Sequence, residues 1–217
     1  QFQVDSQLVK FMNGVDKFKT GNYYDALEIF QEVNSIEMSE NRFLAASDMM
    51  IVKTYFKLGK LDQTLSKGYE FETYYSSDSK YLDDVRYTIA RTSFKKRKHV
   101  DALLYYLQIL KNYSDPRLCE KVRQQTGTLV DLFFSIEDLK DLENRISDDF
   151  ITPFIYLKLA EKYHQKGETN KSRLNLNSAY QYAQNNPILM VEYDKTNEYL
   201  QESHKQRDYI GIILPLT

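Results

Sequence analysis

The feature that most restricts this chain is a repeat. Phe18-Lys19-Thr20-Gly21-Asn22-Tyr23-Tyr24-Asp25-Ala26-Leu27 lines up with Phe56-Lys57-Leu58-Gly59-Lys60-Leu61-Asp62-Gln63-Thr64-Leu65, and again with Phe94-Lys95-Lys96-Arg97-Lys98-His99-Val100-Asp101-Ala102-Leu103. Each copy starts 38 residues after the one before. A less faithful copy runs His164-Gln165-Lys166-Gly167-Glu168-Thr169-Asn170-Lys171-Ser172-Arg173-Leu174. Between them, Pro116 to Ile146 keeps helical apolar spacing but loses the signature, and counts as a degenerate unit. A period of this length requires one supersecondary unit used repeatedly, each burying its apolar face against the next.

The spacing inside a copy is that of two helices. Leu8, Phe11, Val15 and Phe18 recur at helical intervals, and Tyr23, Ala26, Leu27, Phe30 and Val33 do so on a partner segment. Gly21-Asn22 and Gly59-Lys60 separate such runs, where a residue that tolerates a left-handed backbone stops one helix and lets the next begin. The pattern predicts helices at 4–19, 23–36, 41–58, 61–74, 79–95, 99–112, 116–134, 136–146, 152–166, 169–184 and 188–205. Pro153 and Pro187 fall near helix starts, where a missing N–H does least harm.

At these residues the chain resembles the tetratricopeptide repeat (TPR) family, whose units are antiparallel helix pairs. Ala26-x-x-x-Phe30 and Ala102-x-x-x-Tyr106 match the small-residue and aromatic element of the second helix. Gly14, Ala90 and Ala160 match the small position of the first. Unit two departs, with Gly68 where the aromatic belongs and Tyr69 and Phe71 close by, and the family's tryptophan is missing because the chain has none. The resemblance implies an all-α fold, a TPR-like right-handed superhelix of about five helix pairs plus a C-terminal helix, over residues 1–205.

Composition narrows the chemistry. With 217 residues, 42% apolar and 28% charged, and a net charge of −2, this is ordinary globular material rather than a disordered or polyanion-binding chain. Seven Gly and four Pro are too few for an all-β sandwich. One cysteine, Cys119, excludes an intrachain disulfide framework and reads as a buried structural thiol. The three histidines, His99, His164 and His204, form no metal motif, and the glycines form no phosphate loop. Interleaved charges such as Asp138, Lys140, Asp141, Glu143 and Arg145 read as solvated surface. The expectation is therefore no enzyme, no cofactor and no metal. A pI near 6.0 argues against nucleic acid, and no apolar run approaches the roughly 18 residues of a membrane span.

One binding feature follows from register. In the TPR family the first helices line a concave groove. The matching positions here are Val15, Phe18 and Lys19, then Lys53, Phe56 and Lys57, then Arg91, Phe94 and Lys95. They compose a basic strip with aromatics, suited to another protein or an acidic peptide segment through charge-assisted hydrogen bonds and apolar anchoring. A second packing competes with it, in which the phenylalanines fill the helix pairs and the lysines are merely exposed. The strip lacks the asparagines of the family's carboxylate clamp, so that activity is not carried over.

The last residues change texture. Asp208-Tyr209-Ile210-Gly211-Ile212-Ile213-Leu214-Pro215-Leu216-Thr217 reads as a buried strand. It is similar to the first strand of type I periplasmic-binding-protein folds, making 206–217 the expected start of a truncated domain of that kind. Together with the repeats, the chain resembles envelope proteins that join the two parts, as in the lipoprotein activators of penicillin-binding proteins. That resemblance implies a location in the periplasm or on the periplasmic face of the outer membrane, room for an upstream lipid anchor, and a scaffold role. The alternative is a helical spacer for a solute receptor whose ligand domain lies outside this chain.

Overall fold

The computed structural model describes residues 6–37, 40–75 and 80–213, with side chains described as far as residue 202. Those residues form eleven helices and no strand. They are α1 (Ser6–Lys19), α2 (Tyr23–Asn34), α3 (Leu44–Lys57), α4 (Leu61–Tyr74), α5 (Leu82–Lys95), α6 (His99–Asn112), α7 (Pro116–Phe133), α8 (Ile136–Arg145), α9 (Ile151–Gln165), α10 (Thr169–Ala183) and α11 (Pro187–Ile213). The expected starts at residues 4 and 79 lie outside the described residues. The chain divides into two compact units, Gln1–Ile109 and Leu110–Thr217.

In the first unit the repeat becomes a chain of packed helices, α1 on α2, α2 on α3, α3 on α4 and α4 on α5, with α3 also meeting α5. One turn is used three times. The N–H groups of Gly21 and Asn22 donate to the Phe18 and Lys17 carbonyls (3.2 and 2.9 Å), closing the end of α1. Gly59 and Lys60 do the same to Phe56 and Tyr55, and Arg97 and Lys98 to Phe94 and Ser93. This paired closure needs a left-handed residue at its centre, which Gly21 and Gly59 supply at φ 85° and 73°. Arg97 takes the same conformation at φ 58° despite its side chain.

Small residues set how near the helices come. Ala26, Thr64 and Ala102, each one period apart, are fully enclosed. A Cβ on Gly14 of α1 would stand 2.7 Å from Phe30 Cε1 of α2, so the aromatic of the second helix occupies the space that glycine leaves. Unit two solves its missing aromatic differently from the sequence expectation. Phe71 is indeed buried, but Tyr69 is 40% exposed and stacks on Tyr105 at 6.3 Å. The place beside Gly68 is taken by Ile89 of α5, 2.7 Å from where a Cβ would lie.

Polar groups bridge successive repeats at two points. Asp48 of α3, 8% exposed, accepts from Asn34 Nδ2 of α2 (3.1 Å) and from the Tyr75 hydroxyl (2.7 Å), and pairs with Lys67 Nζ of α4 (3.2 Å). Glu72 of α4 accepts from Arg86 Nε of α5 (2.9 Å) and from the Tyr105 hydroxyl of α6 (2.8 Å). Burial and the bond to the carboxylate push both tyrosine hydroxyls well above their ordinary titration range. Burial lowers the affinity of Lys67 for its proton, but Asp48 and Glu70 outweigh it and the ammonium titrates above its usual range.

The second unit relies on local caps. Asp115 opens α7 by accepting from the Arg117 and Leu118 N–H groups, with Pro116 at the first helical position. Ser135 and Asp138 form a reciprocal capping box on α8. Asp148 accepts from the Phe150 and Ile151 N–H groups (2.8 and 2.9 Å), and Asn186 from those of Ile188 and Leu189. Only between α9 and α10 does the glycine turn return, at Gly167 with φ 77°. There Ser172 donates to the Ala160 carbonyl (2.8 Å) in a core of Leu157, Ala160, Leu176, Ala179 and Leu200. Helix α11 packs on both α9 and α10, burying Glu192 against Arg123 of α7 and placing Thr196 to donate to Glu161 (2.9 Å).

The tail departs from its expected conformation. From Asp208 to Ile213, where the apolar pattern reads as a strand, the backbone continues α11. A strand needs neighbours for its N–H and C=O groups, and the described residues provide none, whereas a helix satisfies them internally. Residues 214–217 lie outside the described residues.

Candidate functional site

The basic strip is divided by the fold. Lys53, Phe56, Arg91 and Lys95 meet where α3 and α5 pack together. The Arg91 guanidinium carbon is 4.6 Å from the centroid of the Phe56 ring, and Lys95 Nζ is 4.5 Å from the same point. Both cations therefore rest on one aromatic ring, and a chain of two such contacts keeps them within about 9 Å of each other. Arg91 also lies over Tyr87 at 5.5 Å. Lys53 is paired with Asp84 of α5 (2.7 Å), a partner the sequence reading did not anticipate.

The remaining strip residues are placed otherwise. Val15 and Phe18 pack against the core of the first unit, and Phe18 meets Tyr23 edge-on at 5.4 Å, as in the packing that competes with the groove. Phe56 is 6% exposed, so it is core on one side and a platform for cations on the other. Phe94 is 41% exposed and tilts over His99 at 5.8 Å. Lys19 and Lys57 are exposed at the ends of their helices.

Chemically, a guanidinium resting over a ring can still direct N–H groups to an oxyanion while the ring shields part of it from water. Among the described residues neither Arg91 nor Lys95 forms a salt bridge, so an incoming carboxylate meets cations that are positioned but not neutralised. Tyr106, which meets Tyr87 at 6.2 Å, has its hydroxyl pushed up to about 12, mainly by burial, so it stays neutral at ordinary pH.

An open hollow of about 820 Å³ lies among α2, α3 and α4, with Ile36, Leu44, Phe71 and Tyr74 in its lining. Its central polar groups, Asp48 and Lys67, are already engaged with each other. Sequence reasoning missed this cluster and the Glu72–Arg86 pair. The signal was present, because Asn34, Asp48 and Lys67 stand one period before Glu72, Arg86 and Tyr105.

Cys119 is buried, His164 is 3% exposed with its ring 6.1 Å from Tyr199, and the His204 side chain lies outside the described residues. Among the described residues no group of three or more His, Cys, Asp or Glu has the geometry of a metal site. No described helix is long and apolar enough to cross a membrane.

No protein-family model matches the chain, and no curated protein is similar to it in sequence. Two solved structures are similar over most of the chain's length at low identity. Nearly identical TPR-like repeats from Podosopora anserina share 11% identity at a TM-score of 0.48, covering 82% of this chain and 95% of that one. A thermophilic TPR protein from Thermus thermophilus shares 19% identity at a TM-score of 0.42, covering 88% of this chain and 98% of that one.

Proposed function

We propose that the chain is a non-catalytic protein-interaction scaffold whose first unit binds an acidic peptide segment along the first-helix strip. The observation that carries this reading is the Phe56 platform, with Arg91 and Lys95 held on one ring and unneutralised. A carboxylate side chain of the partner takes the two cations, while the exposed Phe94 offers apolar anchorage. Lys19 and Lys57 add attraction at longer range, which screens with salt. Val15 and Phe18 contribute by holding α1 in place. Lys53 contributes less directly, because Asp84 already engages it.

The reading also places the protein in the bacterial envelope, on the periplasmic side of the outer membrane. Its support is the likeness in sequence of residues 208–217 to a binding-protein strand, a segment that continues α11 through Ile213 here, and 206–217 is proposed as the start of a further domain. Fractionation of cells producing the full-length gene product tests this, and recovery in the cytosolic fraction argues against it.

Binding is tested by titrating a labelled glutamate-rich peptide into the protein and into Arg91→Glu/Lys95→Glu. The expected outcome is loss of binding in the variant and weakening with salt in the parent, with the melting temperature little changed. A spacer gives a different result, namely no binding by either protein. Binding equal in both places the contact elsewhere.

A further inference from the structure

The two polar clusters that bridge the repeats of the first unit are versions of one site with the charges exchanged. Advancing Asn34, Asp48 and Lys67 of the first by 38 positions gives Glu72, Arg86 and Tyr105 of the second, while the fourth member of the first, Tyr75, maps to Tyr113. At the first boundary the following helix α3 supplies the carboxylate, and the donors come from α2 and α4. At the second the preceding helix α4 supplies the carboxylate, and the donors come from α5 and α6. One period further on, Leu110, Gln124 and Glu143 do not continue the set.

We infer that these clusters are a stacking key that makes each repeat boundary accept only its own neighbour. The apolar parts of the boundaries are too similar to make that distinction. Ala26, Thr64 and Ala102 are all fully enclosed, and Val52 and Ala90 are enclosed at equivalent places on α3 and α5. A helix pair exchanged between boundaries, or between two copies of the chain, satisfies those contacts about equally. The polar positions do not tolerate it. Setting α3 against the face of α4 brings Asp48, 8% exposed, beside Glu72, whose side chain is 20% exposed, two like charges in a poorly solvated site. Setting α5 against α2 takes Arg86, whose side chain is 18% exposed, away from Glu72 and leaves it facing the Asn34 amide with only Asp83 of its own helix (3.7 Å) as a carboxylate. The first error adds a second carboxylate to a site where Lys67 already serves Asp48, and the second removes the Glu72 bond from Arg86, which is how a protein discriminates by penalising the wrong partner.

The key also explains a choice that stability alone does not favour. Apolar residues of similar volume at a buried ion pair are often as stable or more so, so the retained charges fit a role in registry. The inference is independent of the acidic-peptide reading, since it concerns which helices stack and not what the strip binds.

The test uses the whole chain and two variants. Asp48→Arg places a cation among the donors Asn34, Lys67 and Tyr75, and is expected to lower the melting temperature by about 10 °C or to prevent folding. Asn34→Glu/Asp48→Arg/Lys67→Tyr converts the first cluster into the residues of the second, and is expected to recover more than half of that loss. With both boundaries then carrying the same key, the triple variant is also expected to form exchanged oligomers when refolded at high concentration, resolved by size exclusion. The parent keeps one oligomeric state under the same conditions. A triple variant no more stable than Asp48→Arg overturns the equivalence of the clusters. Recovery of stability without new oligomers shows that the clusters carry no information about order, and overturns the key.

Discussion

Up to Ile109 the helices α1, α3 and α5 end on one repeated turn, and the N-cap residues of α2, α3, α4 and α5 make no side-chain cap bond, with Asn41 before α3 accepting from the Phe43 N–H (2.9 Å). After it, α7, α8, α9 and α11 begin on their own side-chain acceptors, Asp115, Ser135, Asp148 and Asn186, and the period is lost except at Gly167. The difference shows two ways of telling a chain where to turn. In the first unit the instruction is distributed, since a turn in the right place is right because its neighbours are one period away. In the second it is local, written into the residue that precedes each helix. A repeat unit is therefore exposed to errors of stacking, whereas a capped helix is exposed to loss of a single acceptor.

The largest expected effect lies in the repetitive unit. Ala102→Leu adds bulk at a fully enclosed position and is expected to cost about 3 kcal/mol, read by thermal melting. An unchanged melting temperature means the repeat register is wrong at that position.

A matched pair sharpens the comparison. Gly68 and Gly127 both lie inside helices, yet a Cβ on Gly68 stands 2.7 Å from buried Ile89 Cγ1 and one on Gly127 meets nothing within 4 Å. Gly68→Ala is expected to destabilise by about 2 kcal/mol, because crowding of the next repeat outweighs the gain in helix propensity. Gly127→Ala is expected to stabilise by up to about 1 kcal/mol. Equal signs for the two substitutions would break the distinction.

Between these in size is the loss of a cap. Asp148→Ala is expected to cost about 1.5 kcal/mol by leaving the Phe150 and Ile151 N–H groups without their acceptor. Burial raises the pKa of this carboxyl, but Lys111 and those N–H groups together hold it below its ordinary value of 3.8. The depressed folded value means that the contribution is complete above the unfolded range and disappears as pH falls through the lowered one. Below pH 3.8 the parent should therefore lose this increment while Asp148→Ala does not, which acid titration of both proteins resolves.

The smallest effect returns to the repeated turn. Arg97 holds φ 58° where the other copies have glycine, so Arg97→Gly is expected to stabilise by about 0.5 kcal/mol after the entropy of the unfolded chain is counted. A melting temperature that falls means the Arg97 side chain makes contacts that outweigh its backbone strain.

Much of the architecture was legible in the residues. Apart from the end of α11, expected at residue 205 and found at Ile213, the predicted helix bounds fall within a few positions of those observed, because Leu8, Phe11 and Val15, or Tyr23, Ala26 and Phe30, already mark one face of a helix. Gly21 and Gly59 announced their turns, and the offset carried Arg97 with them. The site was less legible. That Phe56 carries both Arg91 and Lys95, and that Lys53 faces Asp84, depends on how far α5 is rotated against α3. Ile89 beside Gly68 belongs to the same class of fact.

The tail marks the boundary between the two kinds of information. Ile210, Ile212 and Ile213 have strand-like texture, but a strand is a relation between segments, and without a neighbour the backbone satisfies itself as a helix through Ile213. Helix, turn and period follow from residues a few places apart, since a helix closes its hydrogen bonds four residues along the chain. Which cation meets which ring, and which carboxylate meets which donor, was set when helices distant in sequence packed, because contact across a boundary depends on the separation and rotation of both partners.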